Sequence, residues 1–245
     1  MEIVFVGCGD AFGSGGRGHT CFQVTASGTR FLIDCGASGL AGLKREGIDR
    51  NAIDLLLITH LHADHAGGIP FFILDAQFLA KRTRPLTIAG PPGLSAWYPR
   101  AMELAFPGSS ATRQKFELSL VELAADAPCT VAGVTVRPTL VQHGAPVAPA
   151  YGYRITLDGK VLAYTGDTEW TESLVELGRD ADLMIAEAYW FEKVVPYHLS
   201  WGTLAQHLPR IAPRRLILTH MGDDMLAHCA EVPCETARDG LTITL

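Results

Sequence analysis

The chain has 245 residues, 48% of them apolar and 19% charged, with a formal net charge of −6. That size and apolar share support one large or two small domains with a sizeable core, and the negative balance argues against a broadly basic nucleic-acid surface. No apolar run reaches the roughly 20 residues that span a bilayer, and the chain starts directly as a strand rather than as a basic, cleavable leader, so a soluble, cytoplasmic protein with no membrane partner is expected. Six cysteines (Cys8, Cys21, Cys35, Cys129, Cys229 and Cys234) lack Cys-x-x-Cys spacing and read as buried small apolar groups or free thiols. The Cys229/Cys234 pair could also bind metal or form a disulfide.

Ile3 to Gly7 reads as a strand, followed by a glycine-rich loop over Gly7 to Gly18 and a second strand over Thr20 to Thr25. The loop has neither Gly-Lys-Ser/Thr nor a following helix, so it matches no nucleotide-phosphate motif and reads as a long hairpin connection with room to lie near a site. His19, at its end, can approach substrate or metals and reads equally as an ordinary surface or core histidine. Arg30 to Ile33 is a buried strand ending in Asp34-Cys35-Gly36, and Leu40 to Glu46 has helical spacing closed by Gly47. Ile53 to Thr59 is an aliphatic strand, Gly68 to Phe78 a helix with Phe71 to Leu74 against a sheet, Leu86 to Gly93 a strand and turn, and Leu94 to Phe106 a helix. Lys115 to Leu123 and Thr130 to Pro138 read as strands. Tyr151 to Ile155 and Val161 to Thr168 flank a two-residue Asp158-Gly159 hairpin turn. Asp182 to Ala186 is a buried strand ending at Glu187, Trp201 to Ile211 a helix, Arg215 to Thr219 a strand before His220, and Leu241 to Leu245 a last strand. Strands flanked by helical segments in both halves suit two sheets packed face to face between helices.

The stretch from Leu55 to Gly68 carries the chemistry. A buried strand ends at Thr59, and His60, His62, Asp64 and His65 arrive within six positions, followed by a Gly67-Gly68 pair that lets a helix start close by. Neutral imidazole and carboxylate suit zinc, and also manganese or iron. The alternation of His60 and His62 lets both face one ion, while Asp64 and His65 on the next turn can face a second. Three further strands also end in metal-capable residues, His143, Asp167 and His220.

The His60-Leu61-His62-Ala63-Asp64-His65 run resembles the signature of the metallo-β-lactamase superfamily, and Leu32-Ile33-Asp34-Cys35-Gly36 resembles a strand common in it. The resemblance implies an α/β fold, a four-layer αββα sandwich of two mixed β-sheets flanked by helices, formed as a single domain over residues 1–245. It implies that His60, His62 and His143 hold one divalent ion and Asp64, His65 and His220 another, with Asp167 bridging them. The ions would be Zn²⁺, with Mn²⁺ or Fe as the alternatives. Asp64 would also orient a bridging hydroxide, and Asp34 would orient a ligand histidine, its other reading being a strand-end turn residue. Within the superfamily the second half resembles the ribonuclease Z group and its small phosphodiesterase relatives, through Tyr151-Gly152-Tyr153-Arg154-Ile155, Tyr164-Thr165-Gly166-Asp167-Thr168 and His198-Leu199-Ser200. By that likeness His198 is the general acid. It reads otherwise as a helix-start histidine before an N-capping Ser200.

Two departures bear on substrate. Ala186-Glu187-Ala188-Tyr189 stands where tRNA-processing members carry His-Glu-Ala-Thr, so Glu187 is kept near the substrate and the first histidine is not. Those enzymes also insert a tRNA-clamping arm after the Gly-Tyr-Arg-Ile strand, whereas here Ile155 runs through Asp158-Gly159 into Val161. Lys81-Arg82-Thr83-Arg84 and Arg214-Arg215 read as solvated surface. The expected function is a dinuclear metal-dependent hydrolase, a phosphodiesterase acting on a small or cyclic substrate through a metal-bridging hydroxide. The alternatives are a tRNA 3′-processing endoribonuclease, with RNA as partner, or a hydrolase of a thioester, lactone or β-lactam. The family likeness also implies a homodimer.

Overall fold

The structure is a computed structural model that describes residues 1–144 and 149–245. Strands β1 (Glu2–Gly7), β2 (Cys21–Ala26), β3 (Thr29–Ile33), β4 (Leu55–Leu57), β5 (Leu86–Gly90) and β6 (Leu118–Glu122) form the first sheet, joined at its edge by a last strand, β14 (Thr242–Thr244). Strands β7 (Cys129–Val131), β8 (Val134–Val141), β9 (Ala150–Leu157), β10 (Lys160–Tyr164), β11 (Leu183–Glu187), β12 (Leu216–Thr219) and β13 (Glu235–Thr236) form the second. The orders are β14-β1-β2-β3-β4-β5-β6 and β13-β12-β11-β10-β9-β8-β7. Each sheet is antiparallel in one half and parallel in the other, from β3 to β6 and from β10 to β13.

The parallel halves explain why their central strands β4, β11 and β12 are buried along their whole length, because both faces are covered. Phe31, Ile33, Leu55 and Leu57 face the inter-sheet core with Tyr151, Tyr153, Leu162, Ile185 and Ile217. The alternate residues Leu32, Leu56 and Ile58 meet helices α1 (Gly39–Arg45), α3 (Ile69–Leu74) and α4 (Leu94–Ala105), with a short α2 (Ala63–Ala66) between α1 and α3. On the other side Ala163, Met184, Ala186 and Leu218 meet α5 (Ser173–Gly178), α6 (Trp201–Ile211) and α7 (Asp223–Ala227). Three apolar layers therefore separate four layers of structure, the expected αββα sandwich. At about 2–5 kcal/mol per large-to-small change in such a core, these layers hold the strand ends in fixed relation.

Several expectations need correction. β4 stops at Leu57 rather than Thr59, because the Asp34 carboxylate takes the Thr59 N–H at 2.8 Å. The strand expected over Thr130 to Pro138 is a hairpin, broken at Ala132 and Gly133 with φ of 47° and 81°, a two-residue turn geometry. Phe71 points outward and is 44% exposed, although Phe72 and Ile73 do pack inward. Arg82 is not solvated surface. It is 1% exposed and donates to the carbonyls of Arg50, Asn51, Ile53, Arg84 and Pro85. The six cysteines carry no disulfide. Among the described residues no helix is long and apolar enough to cross a membrane.

Candidate metal centre

The parallel strands of each sheet end on the same side as β8, and the polar residues of the site follow those ends. Asp34 follows β3, His60 lies beyond β4, His143 beyond β8, Asp167 beyond β10, Glu187 ends β11 and His220 follows β12. A crevice outside the carboxyl ends of parallel strands is where open α/β sheets bind ligands. His62 stands at the residue before α2, whose first turn carries Asp64 and His65. Close approach depends on missing side chains, since a Cβ on Gly68 would run into the Gly36 carbonyl and one on Gly36 into the Asp64 carbonyl.

Two clusters result. His60, His62 and His143 bring one ligand atom each within 4.8 Å of one another, and so do Asp64, His65, Asp167 and His220. Asp167 Oδ2 lies 3.2 Å from His65 Nε2, 3.1 Å from His220 Nε2 and 3.8 Å from His143 Nε2, between the clusters. All seven residues singled out in the sequence thus meet in one crevice. His19 does not join them. Its Nδ1 accepts the Ser38 N–H at 3.3 Å, and its ring belongs to neither cluster.

The surrounding hydrogen bonds fix which nitrogen is free on the His65 and His143 rings. Asp34 accepts the Thr59 N–H, the Thr59 hydroxyl at 2.9 Å and the His65 Nδ1–H at 2.7 Å. His65 Nε2 is therefore left facing Asp64 and Asp167. His143 Nδ1–H donates to the Tyr197 carbonyl at 2.8 Å, which leaves a lone pair on Nε2, 3.0 Å from His62 Nδ1. Thr20 Oγ1 lies 3.4 Å from His220 Nδ1. Sequence reasoning missed Thr59, Thr20 and Tyr197. No local pattern marks them, since their partners lie far away in the chain or are reached through backbone atoms.

Burial pushes His60 and His143 below the ordinary imidazole range, and takes His220 down to about 4 despite Asp167. Burial also works against ionising Asp64, but the neighbouring His65, its Nε2 3.3 Å away, outweighs this and takes it down to about 2. Asp167 is likewise held well below the carboxylate range by His220 and His65 against the effect of burial. His65 goes the other way: against the effect of burial, Asp167 and Asp34 lift it well above the imidazole range. The crevice thus combines imidazoles that resist protonation at His60, His143 and His220 with ionised Asp64 and Asp167 around His65. Among the described residues the Nε2 atoms of His60 and His65 and the Oδ1 of Asp167 are buried without a hydrogen-bond partner, a costly arrangement unless something pairs with them. Divalent cations fit this donor set. Nitrogen and oxygen ligands, with no thiolate, suit zinc, manganese or iron.

His198 stands beside the clusters. Its Nδ1 is 2.9 Å from Glu187 Oε2, and its ring centroid is 5.0 Å from that of His143 and 5.7 Å from that of His220. Glu187 is fully buried and also accepts the backbone N–H groups of Thr168 and Leu199. Burial and the Asp167 charge push its carboxyl up to about 7. Burial opposes charge on His198 too, but the bond to Glu187 prevails and lifts the imidazole to about 9. The proton of this pair therefore rests on His198. Ser200 does cap α6, accepting the Thr203 N–H at 3.2 Å, so both expected features of this stretch occur together. The Tyr189 ring packs beside both histidines, its centroid 4.9 Å from that of His198 and 6.2 Å from that of His220.

A model of the Beta-lactamase superfamily domain matches residues 29–221. The chain is 30% identical to a ribonuclease Z of Mycobacterium bovis over 76% of its own length and 69% of the relative's. It is 28% identical to a ribonuclease Z of Methanothermobacter thermautotrophicus over 100% and 93%. The crystal structure of the short form of human tRNase Z superposes with a TM-score of 0.77 at 24% identity, covering 100% of this chain and 99% of that one, a likeness of fold.

Proposed function

The chain belongs to the β-lactamase superfamily and is a metal-dependent hydrolase, and from that premise we propose that it cleaves phosphodiester bonds in small substrates. His60, His62 and His143 would hold one divalent ion, Asp64, His65 and His220 a second, with Asp167 between them. Zinc is the proposed metal, and residues 1–245 one catalytic domain. When bound, such ions lower the pKa of a water near the phosphorus and neutralise charge that builds there. Asp34 keeps His65 in the tautomer that leaves Nε2 free, and the Tyr197 carbonyl does the same for His143. His198, charged and oriented by Glu187, gives its proton to the leaving oxygen.

The observation that carries this reading is the His198–Glu187 pair beside two donor clusters whose His60 Nε2, His65 Nε2 and Asp167 Oδ1 are buried with no hydrogen-bond partner among the described residues. A second reading, endonucleolytic processing of RNA, is favoured by the relatives named ribonuclease Z. A small substrate is supported by the junction of β9 and β10, where only Asp158 and Gly159 intervene and where the family likeness puts the tRNA-clamping arm. Metal content and hydrolysis of bis-p-nitrophenyl phosphate, before and after chelation, test the proposal. About two ions per chain with chelator-sensitive cleavage are expected. Cleavage of thioesters or lactones without any diester turnover would move the protein to carbonyl substrates, and cleavage of a pre-tRNA with no small-diester activity would favour the second reading.

A further inference from the structure

Beside His198 lies a cavity of about 390 Å³, within the roughly 300–1,000 Å³ of small-molecule sites. Its wall includes His198, Trp170, Val194, Val195, Pro196 and Glu169. The Trp170 indole is stacked on the His207 ring, centroids 3.6 Å apart and planes 6° from parallel, so it is held flat with one face already covered. Val194 is 76% exposed, which leaves that side open to solvent. Glu169 is fixed, because its Oε2 accepts the Tyr197 N–H at 2.9 Å. Among the described residues no lysine or arginine lines the space.

We infer that this cavity receives the alcohol that leaves, and that it selects a flat, uncharged group over an anionic one. The inference rests on the proposed diester hydrolysis with His198 as proton donor. In that reaction water adds to phosphorus and the P–O bond to the leaving arm breaks. The proton of His198 ends on the departing oxygen, and the attacking water restores it. The departing oxygen must then lie beside His198, and the group it carries extends into the space that His198 lines. There it meets an indole and aliphatic side chains, which favour flat apolar groups. A phosphate or carboxylate on the same arm would sit beside the Glu169 carboxylate, and because the proton of His198 goes to the departing oxygen, no cation among the described residues lining the space remains to pair with it. A polynucleotide running on through this side would bring its next phosphate to that position. The structure therefore points to a compact diester whose leaving arm ends in a neutral ring or an apolar chain.

Methyl phenyl phosphate and methyl 4-carboxyphenyl phosphate test this, since they share a phosphate and differ in the charge of the arm. The carboxyphenoxide is the somewhat better leaving group, so intrinsic reactivity works against the expected preference. The zinc-loaded protein is expected to show kcat/KM at least about tenfold higher for the phenyl ester, a modest use of binding discrimination. Trp170→Ala should lower kcat/KM for the phenyl ester mainly through KM. Glu169→Gln keeps an acceptor for the Tyr197 N–H while removing the charge, and should narrow the preference several-fold. Metal content and thermal midpoint of each variant establish that it is folded and loaded. Turnover of both esters at equal kcat/KM, or a preference unmoved in both variants, overturns the inference and leaves the phosphodiesterase standing. No turnover of any diester by the loaded wild-type protein overturns both.

Discussion

Asp34→Asn and Asp34→Ala should damage the protein in different ways. The Asp34 side chain is fully buried at φ 59° and accepts three donors, the Thr59 N–H, the Thr59 hydroxyl and the His65 Nδ1–H. Asparagine tolerates positive φ, and its amide oxygen can keep the bonds to Thr59. Its NH₂ group then faces His65 Nδ1, so that nitrogen must accept and the ring proton moves to Nε2, the atom that faces Asp64 and Asp167. A protonated nitrogen cannot bind metal. Loss of such an orienting partner costs about 10–100-fold in metal affinity, which corresponds to about 1.4–2.7 kcal/mol. Alanine instead strands all three donors. At roughly 1–3 kcal/mol for each, with about 1–2 kcal/mol more for a left-handed alanine, the loss takes a large share of a typical 5–15 kcal/mol. Zinc affinity by competition with a chelating dye, and urea unfolding of the metal-free proteins, separate the two effects. Asp34→Asn should lose mainly affinity and Asp34→Ala mainly stability. Wild-type zinc affinity in Asp34→Asn would refute the claim that this bond sets the His65 tautomer.

Two further outcomes are expected. His198→Ala should slow diesters with alkyl leaving groups by about 10²–10⁴-fold and p-nitrophenyl esters far less, because a good leaving group needs no proton; equal losses on both would remove its role as acid. Arg82→Met should lower the urea midpoint by an amount equivalent to about 3 kcal/mol or more, because five carbonyls lose their donor, and a shift under about 1 kcal/mol would mean that water replaces the guanidinium.

The fold was legible wherever burial leaves a continuous pattern. The aliphatic runs around Leu55 and Leu183 announce strands covered on both faces, and the structure shows why, with alternate residues in different apolar layers. The residues at the ends of those runs were legible for the same reason, because a strand that is apolar to its last residue makes the following histidine or aspartate conspicuous. What failed was short or long-range. α5, α7 and β13 are too brief to show periodicity. The partner that cuts β4 short, Asp34, lies 25 positions away from Thr59. Arg82 was misread because a basic cluster looks solvated unless the carbonyls that surround it are known.

Backbone conformation is the part of the site that no residue pattern announces. Asp34, His220 and Tyr197 all have positive φ, at 59°, 55° and 69°, a conformation that costs a non-glycine residue about 1–2 kcal/mol. Glycine would adopt it freely but offers no side chain. At Asp34 and His220 the side chain is what the site uses, so the strain comes with the function. Tyr197 differs, because its carbonyl holds His143 and its N–H meets Glu169, while its side chain is 41% exposed. Tyr197→Gly should therefore keep both backbone bonds. Relief of strain is offset by the roughly 0.4–1 kcal/mol of added freedom in the unfolded chain, so the thermal midpoint should stay close to that of the wild type. Zinc affinity should also hold, since His143 Nδ1 still finds its carbonyl. If affinity falls while the midpoint stays, tyrosine is needed to hold the loop in place, and the strain at position 197 is maintained by its ring rather than by the Glu169 and His143 bonds.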